Sequence, residues 1–354
     1  MSSPSAAPFI IGPQDPILIT GAAGFIGSRV VERLLALGFK NLKCFTRVSS
    51  KTERLQAILK ESGTSTQVEI IRGNLLSRRD CDAACCTAAV ILHLAAGTGE
   101  KSFPDAFMNS VVTTRNLIES SLRYSRLKRF VLVSSFAVYS NRQRSSLLDE
   151  SSPIEDHPED RDAYCYAKVK QEQIVREYAA KFGLHYAIVR PGSVYGVGRE
   201  EITGRVGLGT FGIFLHLGGR NRIPFTNVEN CAHAIALAGL VSGVDGEAFN
   251  VLDDDLPSSR KFLRAYKNEI RPFRSVYVPH RLSYALCFLW EKYSEWSRGQ
   301  LPPAFTRRHW YSLWRTTHYS NTKLKQMLGW QPIISTQEAM HRYFAASKRD
   351  ERAA

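Results

Sequence analysis

The octapeptide TGAAGFIG, Thr20 to Gly27, stands directly between a short β-branched run, Ile17 to Thr20, and a stretch, Ser28 to Leu37, in which Val30, Val31, Leu34 and Leu35 recur at helical spacing. A GxxGxxG in that setting leaves few folds open. Gly21 permits a tight turn, Gly24 lets backbone approach a pyrophosphate, and Gly27 lets the helix sit close on the sheet. The helix N-terminus then offers unpaired N–H groups to phosphate. Without that function, the three are turn and packing glycines.

Gly38 stops the helix. Asn41 to Thr46, Gln67 to Ile71, Ala89 to Leu94, Arg129 to Ser134 and His185 to Arg190 follow as short apolar runs, with helices over Asn109 to Ser125 and Ala163 to Phe182 among the intervening segments. Such a rhythm calls for a parallel sheet covered on both faces. The expected fold is α/β: a Rossmann-type doubly wound parallel sheet, with six or seven strands placed by residue 195 and a smaller, mainly helical C-terminal substrate lobe. The expected division is a flexible N-terminal tail at 1–15, a dinucleotide-binding domain at 16–195, a substrate lobe at 196–345 and a polar tail at 346–354. Within the lobe, 224–252 contributes elements that return to the core.

Seven cysteines without a CxxC pair give neither a disulfide framework nor a zinc spacing, which points to a reducing, cytoplasmic setting and no metal. The opening MSSPSAAPF lacks the basic and apolar regions of a signal peptide. No run approaches the roughly 20 apolar residues that cross a bilayer. The net charge of +14 is uneven, since residues 256 to 354 hold 18 basic and 6 acidic side chains. That excess suits an anionic ligand or an anionic membrane surface. No specific nucleic acid is expected, because no zinc finger, RNP-type strand or helix-turn-helix accompanies the charge.

Arg47 ends the second strand where an NAD-selective site would place a carboxylate; a guanidinium there can grip a 2′-phosphate, which favours NADP(H) over NAD(H). Its alternative is a solvated arginine at a loop start. Tyr164 and Lys168 are four apart in AYCYAKVK and share a helix face, so the ammonium favours the ionised phenol. Such a pair suits proton transfer at a substrate hydroxyl, although it is also ordinary surface-helix content. Tyr166, two positions from Lys168, faces elsewhere. Ser135 follows RFVLV at the carboxyl edge of the sheet and can donate to the reacting oxygen, or simply cap a loop.

With these residues in order, the chain resembles the extended short-chain dehydrogenase/reductase superfamily, including the NAD-dependent epimerase/dehydratase enzymes, over roughly residues 16 to 345. The resemblance rests on TGAAGFIG at 20–27, HLAA at 93–96, SSFAVY at 134–139, YCYAK at 164–168, RPGSVYG at 190–196 and LGW at 328–330. It implies Ser135, Tyr164 and Lys168 as the catalytic set, with Lys168 also on the nicotinamide ribose. Cofactor contacts are expected from Gly21, Gly24, Phe25, Ile26, Gly27, Arg47, Asn74, Leu75, Ala95, Ala96, Gly97, Tyr164, Lys168 and Pro191, while Asn109 would tie its helix to the active-site strands. Asn74 stands where the family commonly has aspartate. Ser140 replaces a usual glycine and Phe136 a small or polar residue, departures that speak against a sugar substrate.

PFTNVENCAHAIALA, 224–238, looks most like the matching segment of the 3β-hydroxysteroid and sterol-4-carboxylate dehydrogenase branch. The expected activity is therefore interconversion of a secondary alcohol and ketone on a bulky, steroid-like or acyl small molecule, with a homodimer as the assembly. The alternative is a nucleotide-sugar epimerase or reductase working through a 4-keto intermediate. An apolar substrate pocket would favour the first and a polar one the second. His216 and His233 lack metal-ligand spacing and read as structural or rim histidines. Leu282, Leu286, Leu289, Tyr293 and Trp296 form a helical stripe that Pro279 can begin. Its expected role is packing inside the lobe; a lid or docking on an anionic membrane is the alternative.

Overall fold

The computed structural model describes residues 8–61, 63, 68–97, 102–141, 147–199, 202–210, 212–297 and 306–353. Seven strands form its main sheet: β1 (Ile17–Thr20), β2 (Leu42–Thr46), β3 (Val68–Arg72), β4 (Val90–His93), β5 (Arg129–Val133), β6 (Tyr186–Pro191) and β7 (Ala248–Val251). Every pairing is parallel, in the order 3-2-1-4-5-6-7. Chain direction across the sheet reverses between β1 and β4, and open α/β sheets bind ligands at the carboxyl ends beside such a reversal. The central strands β1, β4 and β5 are buried along their whole length because both faces are covered, whereas the edge strand β3 exposes Glu69 and Arg72.

On one face lie α1 (Phe25–Ala36) and the later helix Val228–Leu240, whose residues share a core with Ile17, Ile19, Val90 and Val131. On the other, α2 (Ala163–Phe182) packs through Ala163, Ala167, Ile174 and Val175 against Phe130, Leu132 and Ile188. Asp162 caps α2 by accepting from Cys165 N–H, and Gly183 ends it at φ 67°. Six sheet strands precede residue 195. The seventh comes from the segment expected to return to the core, and Trp330 of LGW is buried in that same core.

The substrate lobe has its own aromatic core, with Phe262, Leu263 and Tyr266 of the helix Ser259–Glu269 against Ala339 and Tyr343 of the helix Thr336–Ala353. A three-stranded sheet, from Gly207–Thr210, Ile213–His216 and Ser275–Tyr277, adds to its helices.

Residues 8–11 of the expected flexible tail are docked: Ile10 N–H donates to Leu240 O at 2.8 Å and Ile11 is buried. The largely polar residues 346–353 continue the helix that begins at Thr336. The 282–296 stripe, expected inside the lobe, lies outside it. On α3 (His280–Trp296), Leu282, Leu286, Leu289, Tyr293 and Trp296 are each at least half exposed, whereas Ser283, Cys287 and Ser294 are buried. Periodicity identified one face, and the opposite one packs inward.

Candidate active site

The turn after β1 and the loop after β4 meet where the sheet reverses. Gly21 has φ 72°, and a Cβ on it would lie 3.1 Å from Ala95 N. Gly27 packs α1 against the same turn so closely that a Cβ would sit 2.1 Å from Gly21 O. Gly24 stands at the N-cap of α1, where no side chain satisfies the opening N–H groups, including those of Phe25 and Ile26. A cradle of backbone donors without intruding Cβ atoms fits a dinucleotide pyrophosphate.

The other expected cofactor residues surround that cradle. Ala95 N–H donates to Thr20 Oγ1 at 3.2 Å and Gly97 N–H to Ser110 Oγ at 3.0 Å; Ala96 lies between them, half-buried. Asn109 is exposed, and Ser110 beside it joins the same helix to the β4 loop. Asn74 accepts from Leu76 N–H on Oδ1, which directs its remaining side-chain chemistry through the amide donors. Leu75 is buried, with its carbonyl held by Asn116. Pro191 ends β6, buried beside Val251 of β7.

Arg47 is exposed just past β2, in a turn closed by Ser50 N–H to Arg47 O at 3.0 Å. Arg72, which the sequence reading passed over, pairs in register with Thr46 and donates to Val48 O and Thr52 Oγ1 at 3.0 and 3.3 Å. It holds the loop that carries Arg47.

Ser135, Tyr164 and Lys168 converge from β5 and α2. Ser135 Oγ accepts from Ala137 N–H at 3.2 Å and stands beside the Tyr164 phenol. Tyr164 is partly exposed and lines the cleft; burial pushes its phenol above the usual range, and the neighbouring Ser135 hydroxyl opposes that rise. Lys168 is buried, with Nζ 6.0 Å from the Tyr164 ring centroid. Burial lowers its pKa to about 8, opposed by the Glu172 carboxylate one turn on. Tyr166 packs instead on Phe103, at 5.4 Å between ring centres.

Beneath this set lies a buried network that the sequence did not announce. Burial disfavours the Glu172 carboxylate, but two bonds from Arg190, at 2.9 and 2.7 Å, hold its pKa below the ordinary value. Arg190 also donates to Tyr139 Oη at 3.0 Å, and Tyr139 to Asn250 Oδ1 at 2.6 Å. His93 is enclosed between Thr20 and Thr114, 2.8 Å from each hydroxyl; burial, then Lys168, lowers its pKa to about 3 and keeps it neutral.

In front of Ser135 and Tyr164 opens a cavity of about 250 Å³. Phe136, Tyr139, Leu148 and Tyr319 supply apolar surface, and Arg161, Arg205, Arg308 and Arg315 reach it from three separate segments. Asp162, occupied in capping α2, is the acidic side chain among its described lining residues. Arg161 binds the Ala137 and Tyr139 carbonyls at 2.8 Å each, Arg205 donates to Ser312 O at 3.0 Å, and Arg308 pairs with Asp160 at 2.8 Å. Arg315 lies 5.8 Å from the Tyr311 ring centre. His216 and His233 lie elsewhere, bonded to Ser259 at 3.0 Å and Arg33 at 3.1 Å.

A doubly wound sheet with a glycine cradle at its reversal and a Ser–Tyr–Lys set at the adjoining strand end defines an NAD(P)-dependent dehydrogenase/reductase or epimerase. The chain belongs to the NAD dependent epimerase/dehydratase family, which it matches over residues 17–251. Cinnamoyl-CoA reductase 1 of Oryza sativa subsp. japonica is 31% identical over 190 residues, spanning 52% of this chain and 55% of that protein. A 3-beta-hydroxysteroid dehydrogenase of Mycolicibacterium neoaurum is 24% identical over 92% of this chain and 89% of its own. Among solved structures, UDP-glucose 4-epimerase from Thermotoga maritima, with UDP-glucose, superposes with a TM-score of 0.70 at 19% identity, covering 95% of this chain and 99% of that one.

Proposed function

We propose that this enzyme interconverts a secondary alcohol and a ketone on an amphipathic small molecule bearing a phosphate or carboxylate, with NADP(H) preferred. One observation carries the substrate class: four guanidiniums line the cleft beside Ser135 and Tyr164, with Asp162 as their acidic counterpart among the lining residues. An uncharged sterol would press hydrocarbon on those cations, whereas an anionic group would pair with them. The aromatic side of the cleft takes the apolar part. Likeness to a CoA-ester reductase supports this reading.

When bound, the nicotinamide takes or supplies the hydride. Tyr164 holds the proton that passes to or from the substrate oxygen, and Ser135 donates a hydrogen bond to that oxygen. Lys168 lowers the cost of the phenolate and reaches toward the ribose. Arg47, steadied by Arg72, meets a 2′-phosphate.

The second reading, a nucleotide-sugar epimerase, uses the same set and is favoured by the same arginines. The test is turnover of paired carbonyl compounds, each with and without a phosphate or carboxylate, while nicotinamide absorbance is followed. We expect the anionic member to win by about tenfold or more in kcat/KM, and Arg315→Met to erode that advantage. Preference for neutral sterols would overturn the substrate class. Epimer formation from a nucleotide sugar without net cofactor change would establish the second reading.

A further inference from the structure

Helix α3 has its polarity reversed. Its buried stripe, Ser283, Cys287 and Ser294, is small and polar, whereas the stripe turned to solvent is Leu282, Leu286, Leu289, Tyr293 and Trp296, with Phe288 beside it. A surface helix of a water-facing lobe normally shows the opposite arrangement. Trp310 of the following helix, α4 (Arg307–Leu313), donates from Nε1 to Ser283 Oγ at 2.8 Å, and it joins Cys287, Leu217, Val278 and Trp314 in a small apolar cluster. The helix is therefore anchored through its polar stripe, and its apolar stripe is left for another medium. Val276 and Tyr277, on the strand leading into α3, are exposed as well.

The charge around this face decides what covers it. Arg274 and Arg281 flank the apolar residues and are exposed, and the Arg260 guanidinium lies 5.2 Å from the Tyr277 ring centre. The two acidic residues of α3 are neutralised: Glu291 pairs with Arg307 and Glu295 with Lys292, each at 2.7 Å. Exposed leucine and tryptophan within a basic surround match the chemistry of an anionic bilayer surface, where apolar side chains enter below the headgroups and arginines remain among the phosphates. A second copy of this chain is the poorer partner, because a two-fold contact would set the same basic rim against itself. No helix among the described residues is long and apolar enough to cross a membrane, so contact through α3 would be lateral.

We propose that the α3 face is a docking surface for anionic lipid bilayers, with Leu282, Leu286, Leu289 and Trp296 inserting and Arg274 and Arg281 engaging headgroups. The surface is mechanically joined to the cleft. Helix α4 packs on α3 through Trp310 and Tyr311 and lines the cleft with Arg308, Tyr311 and Ser312, so docking brings the cleft wall close to the lipid. This inference rests on α3 and is independent of the proposed substrate.

The experiment is flotation of the full chain with vesicles of phosphatidylcholine alone or mixed with phosphatidylglycerol, at low and high salt, alongside thermal melts and size-exclusion chromatography. The chain should float with the mixed vesicles, less so at high salt and little with phosphatidylcholine alone. The double variant Leu286→Asp/Leu289→Asp should lose binding by more than about tenfold with an unchanged melting temperature, because both leucines are exposed in the free protein. Arg274→Glu/Arg281→Glu should weaken flotation and flatten its salt dependence. Failure of the wild-type chain to float at low salt overturns the proposal, as does equal flotation of the leucine variant. A dimer that the leucine variant dissolves, without flotation of the wild type, would assign the face to a second copy instead.

Discussion

Lys168 Nζ donates to the main-chain carbonyl of Val133 at 2.8 Å. Val133 ends β5 two residues before Ser135, and Lys168 lies one helical turn after Tyr164, so this one buried bond fixes α2 against the strand end that carries the serine. The ammonium is an electrostatic neighbour of the phenol and also a strut. Its loss would therefore alter both position and charge.

Tyr164→Phe separates chemistry from binding. The ring remains, and the hydroxyl facing Ser135 goes. Turnover should fall by roughly 10²- to 10⁴-fold while the cofactor dissociation constant stays within about twofold. Single-turnover rates and direct titration check the two arms. Near-normal turnover with chemistry rate-limiting would transfer the proton role to another group.

Gly27→Ala should damage the cofactor cradle without touching any polar group. The added carbon would meet Gly21 O at 2.1 Å and Ala22 Cα at 2.9 Å, both main-chain atoms that cannot swing aside. Pushing α1 off the turn should cost about 1–3 kcal/mol of stability and weaken dinucleotide binding. Denaturant melts with and without cofactor measure both. Unchanged affinity would mean that the position of α1 does not govern binding.

Some of this architecture was legible because local chemistry set its limits. Asp162 and Gly183 bracket α2, whose span agrees with the sequence reading, and Asn227 caps the helix beginning at Val228. The reversed helix was not legible, since a period of 3.6 identifies residues that share a face without saying which face turns inward. The cleft arginines were missed for a different reason. Arg161, Arg205, Arg308 and Arg315 share no local pattern, and only tertiary folding brings them beside Tyr164. Glu172 carried a faint signal, four residues beyond Lys168 on the same helix face, but its partner Arg190 comes from another strand.

Arg47→Asp should invert cofactor preference. The substitution removes a donor to the 2′-phosphate and places a carboxylate where ribose hydroxyls can donate to it. NADP(H) affinity should fall by about tenfold or more, with NAD(H) affinity held or improved. Because Arg72 secures the loop through Val48 and Thr52, Arg72→Met should weaken both cofactors together. Equal losses in Arg47→Asp, measured by titration, would remove Arg47 from the specificity role.

Glu172→Gln tests whether the charge on Lys168 supports the reaction. Burial lowers the Lys168 pKa to about 8, and the Glu172 carboxylate acts in the opposite sense by favouring the ammonium. The charged form is present below that pH and disappears as pH rises through it, so a reaction that depends on the ammonium should lose rate on the alkaline side of pH 8. Without the carboxylate, the ammonium loses its proton at lower pH, and the alkaline limb should move toward neutrality. At pH 8 the variant should fall further below its own plateau than the wild type does, by about threefold. Its Arg190 partner is buried, so thermal melts must accompany the rates; loss of that ion pair should cost about 3–5 kcal/mol. Destabilisation alone would lower activity at every pH without moving the limb. A full kcat/KM profile therefore distinguishes the two effects, and a limb that remains in place would confine Glu172 to structural support.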